Sequence, residues 1–69
     1  MNLEYIGKRL AELRGSRSRE EVAKAIGVSI SAIGMYETAQ RMPRDEVKLR
    51  IAQYFETPVS EIFFQNEGH

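Results

Sequence analysis

The chain has no cysteine and no tryptophan, one histidine placed last, and two prolines in 69 residues. Without cysteine there is neither a disulfide framework nor a thiolate metal site, and a reducing, cytoplasmic setting fits. His69 alone cannot assemble a metal centre. No apolar run approaches the roughly 20 residues of a membrane-spanning helix, and the first residues lack the apolar stretch of a secretory signal. Phosphate loops and dinucleotide fingerprints are missing too. The run 27–31 lacks the second glycine of a nucleophile elbow and has no histidine base nearby. These absences lead us to expect no enzyme, no catalytic residue, no metal, no cofactor, no small-molecule ligand and no membrane association.

Ten basic and ten acidic side chains leave a formal net charge of zero. On its own that balance argues weakly against a nucleic-acid partner, so the distribution of charge matters more than the sum. Arg14, Arg17 and Arg19 crowd the entry to the central stretch, Arg41 and Arg44 follow it, and Glu56, Glu61 and Glu67 lie near the end. A basic end and an acidic end can coexist in a neutral molecule. The length allows one domain, and a core this small needs well-made helices or a partner chain to be stable.

The central stretch, residues 18–37, opens on Ser18. Glu21 three positions later completes a capping box, in which each side chain satisfies an orphan backbone donor of the other. Val22, Ala23 and Ile26 then recur at helical spacing, and Gly27 stands where a left-handed residue stops a helix. Ser29 opens a second segment in which Ile33 and Tyr36 or Glu37 share a face. Two helices joined by so short a glycine turn must cross steeply, which is a helix-turn-helix and a DNA-binding shape.

Around it, Leu3, Ile6, Leu10 and Leu13 make the apolar stripe of a first helix that Gly15 and Ser16 end. A polar loop runs over residues 38–42 to Pro43. Asp45 and Glu46 then suit the first turn of a fourth helix, with Val47, Ile51, Tyr54 and Phe55 as its buried stripe and Leu49 at the flank. Thr57 reads as a cap with Pro58 at the first position of a short fifth helix carrying Val59, Ile62 and Phe63. No strand-like alternation appears. The expectation is an all-α, compact five-helix domain over residues 1–64, with residues 65–69 a mobile C-terminal tail.

Four pieces in order, I-G-x-R-L-x-x-L-R over residues 6–14, S-x-E-E-V-A over 18–23, G-V-S over 27–29 and I-x-x-Y-E over 33–37, resemble the phage-repressor and Cro type of regulator, the XRE family. Arg41, Pro43, Ile51, Ala52, Ile62 and Phe63 extend the likeness over nearly the whole chain. It implies a lambda-repressor-like fold and a transcriptional regulator, most often a repressor. Such a protein binds operator DNA as a homodimer with its third helix in the major groove. By that resemblance Ile30, Ser31, Gly34 and Met35 are the base-reading positions. Ser29, Thr38, Gln40, Arg41 and Arg44 fall on positions that meet the phosphate backbone, and Arg14 with Glu37 falls on a structural ion pair. Position 19 is glutamine in the family and holds a phosphate; arginine departs from that pattern but adds charge in the same direction. A purely local pairing of Arg19 with an acidic neighbour is the other reading.

The third helix departs furthest. Base recognition by paired hydrogen bonds uses arginine, lysine, asparagine or glutamine, and its outward positions have none. Ile30 and Met35 can pack on thymine methyls, form an apolar patch for a protein partner, or belong partly to the core. Ser31 can bond a base or a phosphate, and Gly34 permits close approach. The alternative function is therefore a protein-interaction module on the same fold, an antirepressor or antitoxin-like subunit. Val59, Ile62, Phe63 and Phe64 are the candidate dimer contacts. Neighbouring phenylalanines on a helix point apart, so one of Phe63 and Phe64 is core and the other exposed.

Overall fold

The structure of the chain, a computed structural model, describes residues 2–64, so the expected tail over residues 65–69 lies outside the described residues. Five helices follow in order: α1 (Leu3–Arg14), α2 (Arg19–Ile26), α3 (Ile30–Glu37), α4 (Asp45–Tyr54) and α5 (Val59–Phe63). The all-α, five-helix architecture expected from the sequence is the one observed.

Local chemistry sets the helix starts. Asn2 accepts from the Tyr5 N–H at 2.9 Å, Ser18 from Glu21 at 3.0 Å and Ser29 from Ala32 at 3.0 Å, so three helices open on a side-chain cap. α4 has no side-chain cap, because Arg44 occupies that position. Pro43 is buried just before it. α5 begins one residue later than expected. Pro58, not Thr57, is its cap position, and the Thr57 hydroxyl instead donates back to the Phe55 carbonyl at 3.0 Å.

Left-handed residues set three of the stops. After α2, Gly27 has φ 85°, and the Val28 N–H returns to the Ala23 carbonyl at 3.0 Å. The same reversal follows α3 and α4, but with Ala39 at φ 62° and Glu56 at φ 51°. The Gln40 N–H reaches back to Met35 at 2.8 Å and the Thr57 N–H to Ala52 at 3.0 Å.

The core is one cluster. Ile6 and Leu10 of α1 meet Val22, Ala23 and Ile26 of α2, Ala32, Ile33 and Tyr36 of α3, Val47, Ile51 and Ala52 of α4, and Ile62 and Phe63 of α5. α3 packs on α1 and α2, and α5 closes against α1 and α4. Tyr54 and Phe55 are only half-buried, and the helix already ends at Tyr54. Leu49 is 61% exposed. The crossing of α1 and α3 is especially close. A β-carbon added to Gly7 would stand 2.6 Å from the Glu37 carbonyl oxygen and 2.9 Å from that of Tyr36. Only glycine fits there.

One expectation for a partner interface is overturned. Ile62 and Phe63 are 0% and 1% exposed, so neither can touch a second chain. Their side chains are needed to close this small core, and of the four residues named only Val59 and Phe64 remain at the surface. Phe64 is 55% exposed, which assigns Phe63 to the core and Phe64 to the outside.

Candidate nucleic-acid interface

The α2–turn–α3 unit presents α3 as an outer ridge. Ala32, Ile33 and Tyr36 face inward and anchor it, while Ile30 is 51% exposed and Ser31 is exposed beside it. Gly34 and Met35 are half-buried. Four outward positions of different exposure thus lie along one helix whose inner face is fixed to the core. An exposed isoleucine beside a serine offers methyl contacts and a single hydroxyl, which suits the thymine edge better than the guanine edge.

A charged cluster ties this ridge to the rest of the domain. The Arg14 Nε donates to Glu37 Oε2 at 2.6 Å and its Nη2 to Oε1 at 3.0 Å, a two-pronged pair joining the end of α1 to the end of α3. Arg14 also donates to the Arg17 carbonyl at 2.8 Å. The Glu37 side chain is only 4% exposed. Its hydrogen bond raises the Arg14 guanidinium above its ordinary value, against the opposing effect of burial. A raised cation pKa means that this contribution to stability is complete through the neutral range and is lost only as pH climbs past the guanidinium's own ionisation.

Arg19 joins the same carboxylate. Its Nε donates to Glu37 Oε1 at 3.1 Å, and its guanidinium lies over Gly34. Arg17 does not belong to the cluster. It turns toward the end of α4, with its guanidinium 5.5 Å from the Tyr54 ring centre and 5.6 Å from that of Phe55. The three arginines at the entry to the motif therefore separate in space into a strut, a ring cover and a surface fork.

On the other flank, Arg41 and Arg44 line an open hollow together with Gly27, Val28, Ala32 and Tyr36. Arg50 of α4 lines the same hollow, a residue that the sequence reading passed over. Spacing gave no signal for it: six positions after Arg44 is about 120° away around a helix, and only the fold brings the two to one hollow. Among the described residues none of these three arginines makes an ion pair. Arg44 also places a positive charge at the start of α4, where the helix dipole disfavours it.

The smaller polar residues are partly committed. Ser29 accepts the Ala32 N–H, which leaves its own hydroxyl proton available. The Thr38 hydroxyl donates to the Gly34 carbonyl at 2.8 Å, so its proton is spent. Gln40 donates one amide hydrogen to Thr38 at 2.8 Å, which leaves a second donor on the same nitrogen.

Two serine-capped helices joined at Gly27, the second an outer ridge flanked by Arg41, Arg44 and Arg50, which make no ion pair among the described residues, define a class of protein. Residues 8–62 match the helix-turn-helix family, and the chain belongs to it. It is a sequence-specific DNA-binding transcriptional regulator of the XRE type and not an enzyme. Among solved structures it is similar to the restriction-modification controller protein C.AhdI from Aeromonas hydrophila, at 32% identity, with a TM-score of 0.80. That likeness covers 88% of this chain and 96% of the other. No match was found among curated proteins. No helix of the described residues is long and apolar enough to cross a membrane.

Proposed function

We propose that this chain is a cytoplasmic operator-binding repressor that docks α3 in the major groove and acts as a homodimer. C.AhdI is a restriction-modification controller, and the likeness makes control of restriction-modification genes the most specific role it supports for this chain. The observation that carries the reading is the pairing of an exposed α3 edge, Ile30 and Ser31, with the unpaired Arg41, Arg44 and Arg50 beside it. Phosphate contacts supply affinity and hold the register, while the ridge meets base edges. Ile30 and Met35 pack on thymine methyls and Ser31 bonds a base or a phosphate. Ser29, Gln40, Arg41 and Arg44, joined by Arg50, meet the backbone. Thr38 serves them by fixing Gln40, and the first turn of α2, opened by Arg19, brings backbone donors to the same strand.

The dimer face is the side of α4 and α5 where Leu49 and Val59 line an open groove with Glu46, Arg50 and Glu56, with Phe64 exposed at the end of α5. Two-fold pairing covers the exposed leucine. It also sets two half-sites about one helical turn apart.

The experiment is selection of bound duplexes from a random DNA pool, followed by a salt titration and a mass measurement of the free protein. A pseudo-palindromic site, affinity falling steeply with salt and twice the chain mass are the expected results, with Leu49→Glu reducing the mass to that of one chain. Transcription from a promoter carrying the selected site falls when the protein is supplied. Binding to no duplex above background would leave the exposed ridge to a protein partner instead.

A further inference from the structure

Resting on that DNA reading, we propose that Arg19, a residue of α2, is a specificity-determining side chain of the interface and reads the O6 and N7 edge of a guanine. The need for such a residue is plain in α3 itself. Ile30–Glu37 contains no arginine, lysine, asparagine or glutamine, the side chains that recognise a base by paired hydrogen bonds. At position 34, one of the outward positions, there is no side chain at all.

Arg19 fills that space. Its Nη1 lies 3.2 Å, and its Cζ 3.8 Å, from where a β-carbon on Gly34 would stand. The guanidinium therefore occupies the position that a side chain from the recognition helix would otherwise take. Gly34 is the seat for it, which gives that mid-helix glycine a reason other than close approach of the backbone.

The guanidinium is also held in one orientation. Nε donates to Glu37 Oε1 at 3.1 Å, and the same oxygen accepts from Arg14 Nη2 at 3.0 Å, while Arg14 Nε grips Oε2 at 2.6 Å. Glu37 is nearly buried and cannot swing away. With the Nε edge engaged, the two Nη nitrogens are left as a fork on a helix surface, and two arginines against one carboxylate leave the cluster positive. A phosphate needs only charge in the right neighbourhood. A planar fork whose direction is set by an ion pair matches the paired acceptors of guanine, and little side-chain freedom remains to be lost on binding. Affinity through Arg41, Arg44 and Arg50 and selectivity through Arg19 are thus separate duties.

The test compares duplexes selected from a random pool by the wild type and by Arg19→Ala. The expected result is a guanine at one fixed position of each half-site that the wild type selects and the variant does not, with the other selected positions kept. Replacing that guanine by 7-deazaguanine, which lacks N7, weakens wild-type binding by roughly fivefold or more and leaves Arg19→Ala unchanged. Identical selected sequences, with uniformly weaker binding by the variant and a salt slope lower by about one, would overturn the inference and reduce Arg19 to a phosphate contact. Should Arg19→Ala fail to fold, the 7-deazaguanine measurement on the wild type decides alone: loss at no guanine overturns it. A wild type that selects no sequence overturns the DNA reading and this inference together.

Discussion

Replacing glycine by alanine in a helix normally adds about 1 kcal/mol of stability. At Gly7 the opposite sign is expected. The new β-carbon would stand 2.6 Å and 2.9 Å from the carbonyl oxygens of Glu37 and Tyr36, and 3.0 Å from the Glu37 carbonyl carbon. Ordinary carbon–oxygen contacts begin near about 3.3 Å, so α1 and α3 must part by at least about half an ångström. The obstructing atoms are backbone at the end of α3, which no rotamer change can move. Overpacking of a tight core typically costs about 1–3 kcal/mol, and this case belongs at the upper end because separation also lengthens the Arg14–Glu37 pair. Subtracting the propensity gain leaves a net loss of about 1–2 kcal/mol. At roughly 4–8 °C per kcal/mol for a domain of this size, the melting temperature should fall by about 5–15 °C. Thermal unfolding followed by circular dichroism, at one protein concentration because of the proposed dimer, measures it. Gly34→Ala is the paired control. Its β-carbon meets side-chain atoms of Arg19 and no backbone, at 3.2 Å, so the guanidinium gives by a few tenths of an ångström against its bond to Glu37, and that variant should melt within about 4 °C of the wild type. Melting of Gly7→Ala at or above the wild-type temperature would refute the close-crossing argument.

Glu37→Gln removes the negative charge shared by two arginines and turns one of its two acceptor oxygens into a donor, and should destabilise by about 2 kcal/mol, whereas Arg19→Ala, losing one exposed hydrogen bond, should cost less than about 1 kcal/mol. Urea unfolding midpoints test that order, and equal shifts would mean that the α1–α3 strut contributes nothing special. Arg44→Ser gives α4 the cap it lacks, and we expect about 1 kcal/mol more stability together with a salt slope of DNA binding shallower by about one. A variant that gains stability and keeps its slope removes Arg44 from the phosphate contacts. Ala39→Gly relieves a left-handed alanine and should raise stability by about 0.5–1 kcal/mol with DNA affinity unchanged, a lowered melting temperature being the contrary result.

The left-handed alanine marks where reading the chain stopped short. Gly27 announced its helix stop because glycine is the residue that such a turn prefers, whereas Ala39 and Glu56 adopt the same backbone without any residue-type signal. Thr57–Pro58 misled in the other direction. A threonine before a proline has the composition of a cap, but its hydroxyl found a nearer carbonyl at Phe55. Ile62 and Phe63 looked equally suited to a core and to an interface, because side-chain type records that a residue avoids water and not which surface covers it.

Sequence alone determined the number and type of the helices and the serine-capped pair at the centre, since caps, glycine stops and apolar spacing act within a turn or two of chain. Tertiary structure alone decided how the charges divide. Arg14, Arg17 and Arg19 are near neighbours in the chain, yet one braces Glu37, one covers Tyr54 and Phe55, and one lies over Gly34. Long cationic side chains reach partners many residues away, and which partner each meets depends on where the helices cross.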